Sequence, residues 1–377
     1  MDKITLNNHA LNFSQLPENG VKIDDIVEKS IEVGLHAMSR DYASTGLVSK
    51  FSVSDYDKQN KAVKNAILKY CAENSGTGEL KNKTDILLAF SNNSQFETLF
   101  NAIQVRTLMG IMTRVQSPQI TALAGIETVE VGDSYTWNID TKGLPVAQRA
   151  SYLSNVTVQE REIMSSITVT PKQYSIGVSQ SYIRIINDGY DFGKEIGRVA
   201  MGMLYSQYKL IVGLIFDTAN ATPIYNATFS ASKYVKTASD LGALNGVRPV
   251  AYGTLPAWEK VAGLATTGGY MTKDKYIESA FLNKIYGVDS MIIDQATDFS
   301  APLNAGVPEV LVPENLIVML SSAGDKVAKL VRENFIRVTK TANTDGALNE
   351  VSYSYFMGFD AAIATQAHFA LQNVAGA

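Results

Sequence analysis

Ile167-Thr-Val169-Thr-Pro171-Lys172-Gln-Tyr174-Ser-Ile176-Gly-Val178-Ser179 is the stretch on which the fold turns. Apolar residues fall on alternate positions, the period of a half-buried strand, and the reading extends from Ile167 to Ile183. Pro171 has no N–H to give a ladder, so the strand is expected to break or to lie at an edge there. Asn187-Asp188-Gly189 closes the run as a turn, and Asp188 can cap the next helix. Phe192, Ile196, Val199, Met203, Leu210 and Leu214 then recur mostly at three and four, one face of a helix predicted over Asp188 to Asp217. At ~1.5 Å per residue it would be about 45 Å long. Its second half, Leu204 to Phe216, is apolar nearly all round with Lys209 as the fixed charge. That half is expected to be covered on several sides, and the six named residues are its candidate core.

The chain before this stretch reads as helices and then a ribbon. Ile23, Ile26, Val27, Ile31, Leu35 and Met38 predict a helix over Val21 to Met38, and Tyr56, Val63, Ile67 and Tyr70 predict another over Asp55 to Glu73. A third begins at Ser94, where Ser94-x-x-Glu97 has the spacing of a capping box. Ile126 to Asp140 alternates as a strand, Lys142-Gly-Leu-Pro145 turns, and Val156 to Val169 returns. Two long strands with a polar tip describe a protruding hairpin, marginally stable unless it lies on something. Tyr135, Trp137 and Ile139 would stay wet in a lone subunit. Lys142, Arg149, Glu160, Arg161 and Glu162 are candidates for ion pairs with whatever covers the ribbon, although charges on edge strands also serve solubility.

After the long helix, Thr222 to Gly253 is turn- and glycine-rich. Helices are predicted from Thr254, as cap, and over Thr272 to Gly287. Val288 to Ile293 and Leu316 to Leu320 fit central strands, which makes this part a compact α/β lobe. Asn334 to Thr341, Leu348 to Gly358 and Ala361 to Leu371 read as three closing strands.

At 377 residues the chain calls for two or three lobes. Charged residues are 19% and hydrophobic ones 46%, a folded composition with few solvated charges that suits extensive burial against neighbours. A net charge of -4 supplies no basic field to hold nucleic acid by counterion release. The N-terminal Met-Asp-Lys-Ile-Thr-Leu-Asn-Asn lacks a signal pattern, and no apolar run is expected to span a membrane. Nucleotide-binding, zinc-protease and paired-cysteine motifs do not occur. Cys71, the lone cysteine, falls on the apolar face of a predicted helix and reads as core. His9, His36 and His368 lie in distant segments, and His368 reads as structural. Asp289 and Asp294 flank a strand, and Ser321 to Lys326 is a weak anion-loop candidate whose simpler role is helix capping. No catalytic, cofactor or metal residue is assigned, and the chain is expected not to be an enzyme.

The alternating strand with a mid-strand Pro-Lys, the following Val-Ser and the long spine helix resemble the major capsid proteins of tailed bacteriophages, the Hong Kong 97-type fold also found in encapsulin compartments. The resemblance covers about residues 115 to 377 by order of elements. It implies an α+β subunit with a helical N-terminal region (1–115), an extended β-hairpin loop with flanking strands (116–170), a peripheral domain with the spine helix (171–222 and 335–377) and an α/β axial domain (223–334). The hairpin would lie on the next subunit. In some capsid proteins of this fold a loop lysine is joined covalently to a neighbour, and Lys142 occupies that region. The function implied is self-assembly, as hexamers and pentamers, into an icosahedral head enclosing double-stranded DNA contacted non-specifically. Portal, scaffolding and decoration proteins are the implied partners, with no membrane. Localisation would be the virion, assembled in the bacterial host cytoplasm. The alternatives are an encapsulin-like compartment around protein cargo and an α/β enzyme with an unrecognised site.

Overall fold

The computed structural model describes residues 23–41, 53–115, 118–140, 164–181, 191–218, 224–226, 228–267, 284–293, 295, 310, 312–321, 326–342, 350–364 and 369–375. The chain divides into two units, to both of which the long helix and two long strands contribute. The first contains 1–117, 174–204 and 335–357. The second contains 118–173, 205–334 and 358–377.

The first unit is built on four helices: α1 (Ile23–Asp41), α2 (Val53–Ser75), α3 (Lys83–Asn92) and α4 (Ser94–Arg114). Helix α3 is an addition to the sequence reading. Asn82 and Asp85 form its capping box, each side chain accepting from the other's backbone N–H. The box expected at Ser94 is absent. Asn93 is the N-cap of α4 instead, accepting from Gln95 and Phe96 N–H at 3.0 and 3.1 Å. Glu97 is turned inward, where Tyr353 donates to its Oε1 at 3.1 Å. Helix α1 sits between two others. A Cβ at Gly34 would meet Ile111 of α4 at 2.5 Å, and one at Gly193 would meet the Val33 carbonyl oxygen at 3.0 Å. The contact at Gly193 is with backbone, so that crossing needs a small residue, whereas at Gly34 the end of the Ile111 side chain would have to move.

Gly193 belongs to the long helix α6 (Phe192–Asp217). Its N-cap is Asp191, whose carboxylate accepts from Lys194 N–H at 2.9 Å and from the Tyr56 hydroxyl at 2.5 Å. Asn60 of α2 accepts the Gly193 N–H at 3.2 Å. The donors left open at a helix N-terminus are thus met partly by side chains of α2. Asp188, the expected cap, lies outside the described residues.

Phe192, Ile196, Val199 and Met203 are buried, whereas Leu210 and Leu214 are only half-buried. Gln207, Ile211, Val212 and Ile215 take the covered positions instead. At about 100° per residue the buried face turns through roughly a quarter-turn between the two halves of the helix, so a stripe extrapolated from the first half misses the second. Helix α6 is also long and apolar enough to cross a membrane, contrary to the expectation from uninterrupted runs, but 56% of its most apolar window is buried inside the folded chain. It is a core helix.

The second unit begins with α5 (Pro118–Leu123) and β1 (Ala124–Val129), followed by the pair β2 (Tyr135–Asp140) and β3 (Met164–Val169). Strand β4 (Lys172–Ser181) comes after the expected break at Pro171. The lobe after α6 contains β5 (Ile224–Asn226), α7 (Ala231–Asn245), β6 (Pro249–Gly253), α8 (Leu255–Thr267), β7 (Lys284–Ile285), β8 (Val288–Ile292) and β9 (Leu316–Ser321). Strands β10 (Ala328–Ala342), β11 (Glu350–Ile363) and β12 (Ala370–Asn373) close the chain. A six-stranded mixed sheet has the order β5-β12-β9-β6-β8-β7, and a four-stranded one the order β1-β10-β11-β4.

Tyr234 and Leu241 of α7 and Trp258 and Val261 of α8 pack with Ile317 and Met319 in the core of the six-stranded sheet. Thr254 caps α8 as expected, accepting from Ala257 N–H at 3.4 Å. Three readings need correction. Helix α7 occupies a segment read as turns, because Gly242 and its polar residues dilute the apolar pattern. Residues 284–287, expected to end a helix, form β7 and the turn into β8, with Tyr286 and Gly287 at φ 49 and 82; the rest of that predicted helix lies outside the described residues. Strand β12 pairs with β5 and β9 rather than joining the sheet of β10 and β11.

Candidate assembly interface

Strands β2 and β3 are antiparallel, in register from Tyr135 opposite Val169 to Asp140 opposite Met164. Among the described residues they form a two-stranded sheet joined to neither larger sheet. Alternation puts Tyr135 and Trp137 on one face, with Ile167 and Val169 across from them. The other face carries exposed Thr136, Asn138, Ser166 and Thr168, with the two threonine hydroxyls 2.8 Å apart.

The hairpin is shorter at its root than the sequence pattern predicts. Ile126 to Val129 belong to β1, which runs parallel to β10 from Ala124 opposite Ala328 to Val129 opposite Glu333. Gly132, at φ 85, and a turn closed by Asp133 N–H to the Glu130 carbonyl at 3.1 Å separate β1 from β2. Unbroken alternation in sequence hid this break, since Val129 and Val131 continue the period through it.

Tyr135 and Trp137 are half-buried rather than bare. Their rings meet edge-on with centroids 4.7 Å apart, and the Lys329 ammonium lies 6.0 Å from the Trp137 ring. Lys329 itself is buried, and so is Glu333, whose Oε1 accepts the Gly132 N–H at 3.3 Å. Arg332 Nε donates to Thr128 Oγ1 at 3.2 Å, and burial lowers the pKa of its guanidinium. Lys172 pairs with Asp360 at 2.8 Å. Of the ion-pair candidates read from sequence, Lys142, Arg149, Glu160, Arg161 and Glu162 lie outside the described residues. Lys329 and Glu333 were missed; a charged residue in a strand reads as solvent-facing, and nothing local signals that these two turn inward.

The remaining candidates are dispersed. Cys71 is buried, and its thiol is pushed up to about 12. His36 stacks on Tyr56 at 4.8 Å. Asp289 pairs with Lys284 at 3.3 Å, while Asp294, His9, His368 and residues 322–325 lie outside the described set. Among the described residues no group of histidine, cysteine or carboxylate side chains is arranged to hold a metal.

No protein-family model and no curated protein matches the chain. Solved structures similar to it include a subunit of the satellite phage P4 procapsid with its size determination protein, at 11% identity and TM-score 0.46 over 71% of this chain and 90% of that one. The capsid structure of cyanophage P-SCSP1u has 11% identity and TM-score 0.43, over 67% and 87% respectively. A virus-like particle from Pyrococcus furiosus has 10% identity and TM-score 0.39, over 72% and 97%.

Proposed function

We propose that the chain is a major capsid protein, a non-catalytic subunit that assembles with many copies of itself into a closed icosahedral shell. The observation that carries this reading is the hairpin β2–β3. A ribbon of two strands buries too little apolar area to offset the entropy of ordering it, and with Tyr135 and Trp137 only half-buried in the lone subunit it calls for a further surface to lie on. Supplied by a neighbouring copy, that surface makes a heterologous contact, the kind that propagates around a ring.

The order hairpin, β4, long helix, α/β lobe and returning strands supports a Hong Kong 97-type subunit. Residues 116–170 would be its extended loop with the flanking strands, β1 among them. Residues 171–222 and 335–377 would be the peripheral domain, with β12 reassigned to the lobe, and 223–334 the axial domain; residues 1–115 add the helical region. The enclosed cargo is taken to be double-stranded DNA, tolerated by a net acidic chain rather than gripped. The virion is the corresponding location, with assembly in a bacterial cytoplasm and portal, scaffolding and decoration proteins as partners.

Deleting Thr141 to Asn155 and rejoining the strands through a short glycine-containing turn tests the reading. Circular dichroism and melting of the subunit should match unassembled wild type, while sedimentation shows that large particles are lost. Normal particles, or an unfolded subunit, would remove the hairpin from the role given to it. Wild-type particles should contain nucleic acid; protein cargo in its place would point to the encapsulin-like alternative.

A further inference from the structure

By the two-residue period of a strand, Lys329, Val331 and Glu333 of β10 share one face, and all three are buried. A buried carboxylate or ammonium is costly unless it is used. Both of these reach the root of the hairpin. Glu333 accepts the N–H of Gly132, the residue whose left-handed backbone turns the chain from β1 into β2. Lys329 approaches the face of Trp137 closely enough for cation–π attraction. Room for the Glu333 carboxylate is made by β11, because a Cβ on Gly358 would overlap its Cδ and Oε2. Val129, at the end of β1, is held opposite Glu333 by the strand register.

We propose that Glu333 and Lys329, with the space left by Gly358, are positioning residues that latch the root of the hairpin and set the direction in which it leaves β1. The latch acts in the lone subunit, before a neighbour is met. Its value for assembly rests on the hairpin being the intersubunit arm: an arm already aimed loses less freedom on docking.

The test uses unassembled full-length protein. Of the two tryptophans, Trp258 is 3% exposed, so acrylamide quenching of fluorescence reports mainly on Trp137. Gly358→Ala forces the Glu333 side chain aside from Cγ outward, and Glu333→Leu removes the acceptor. Each should raise the quenching constant about threefold, the mark of a local opening, with unchanged far-UV circular dichroism. Glu333→Gln keeps an acceptor oxygen and should stay at the wild-type value, which a general loss of stability would not produce. Wild-type quenching in both Gly358→Ala and Glu333→Leu overturns the latch, as does an equal rise in Glu333→Gln. A released hairpin with particles lost supports both latch and arm. A released hairpin with particles formed normally keeps the latch and overturns the arm.

Discussion

Cys71 shows what burial does to a single reactive group. Its thiol is removed from water, which disfavours the thiolate and moves the pKa from 9.0 to about 12. Iodoacetamide at pH 8 should therefore leave native Cys71 unlabelled and modify it at once in denaturant; rapid labelling of the folded protein would contradict its burial. The folded-state pKa is raised, so the stability this group contributes is complete below pH 9.0 and is lost as pH rises towards about 12. Tyr234, Tyr252 and Tyr355, raised from 10.0 by burial, act in the same direction. Melting midpoints should accordingly fall through this alkaline window, and less steeply in Cys71→Ala. Cys71 was legible because a free cysteine on an apolar helical face is nearly always core. Glu97 was not: its place three residues after a serine mimics a cap, and Tyr353, the partner that draws it inward, is far away in sequence.

At the scale of the element, α6 makes the sharpest demand. Truncating Ile211 or Ile215 to alanine in its second half should cost about 2 to 5 kcal/mol, the range for removing a buried branched side chain. Leu210→Ala or Leu214→Ala, on the half-buried flank, should cost about 1 kcal/mol. Urea denaturation of the unassembled subunit measures the difference, and equal losses at Leu210 and Ile211 would mean that the buried face has been misplaced. The existence of this helix is dictated by local pattern. Its covered side is not, because a wide apolar surface can be rotated without changing the sequence period. The same limit applies to β12, whose four residues pair with whichever strands the tertiary fold brings beside them, here β5 and β9.

For the whole molecule, the long periodic segments could be read directly: α1, α2, α4, α6 and the break at Pro171 all have local causes. The features that stayed hidden depended on contacts distant in sequence. The parallel pairing of β1 with β10 joins residues about two hundred positions apart, and no hydrophobic period records it. The candidate interface divides in the same way. Tyr135, Trp137 and Ile139 are given by alternation, whereas the two charges beneath the hairpin root are not.

The close crossings around α1 have a consequence for how a shell of this protein would age. A segment that is to be shed after assembly must be held weakly enough to leave. Here α1 lies against α4 on one side and α6 on the other, glycines admit it at both contacts, and Asn60 of α2 satisfies a donor of the spine helix itself. Excising such a segment would remove Val33, Met38 and Tyr56 from beside Gly193 and Gly197 of the spine helix. If the chain forms a shell as proposed, α1 to α4 are expected to stay with the subunit through assembly. Subunits recovered from finished particles should retain Ile23 to Arg114 in their intact mass, and a population lacking that segment would show that the helices can be spared.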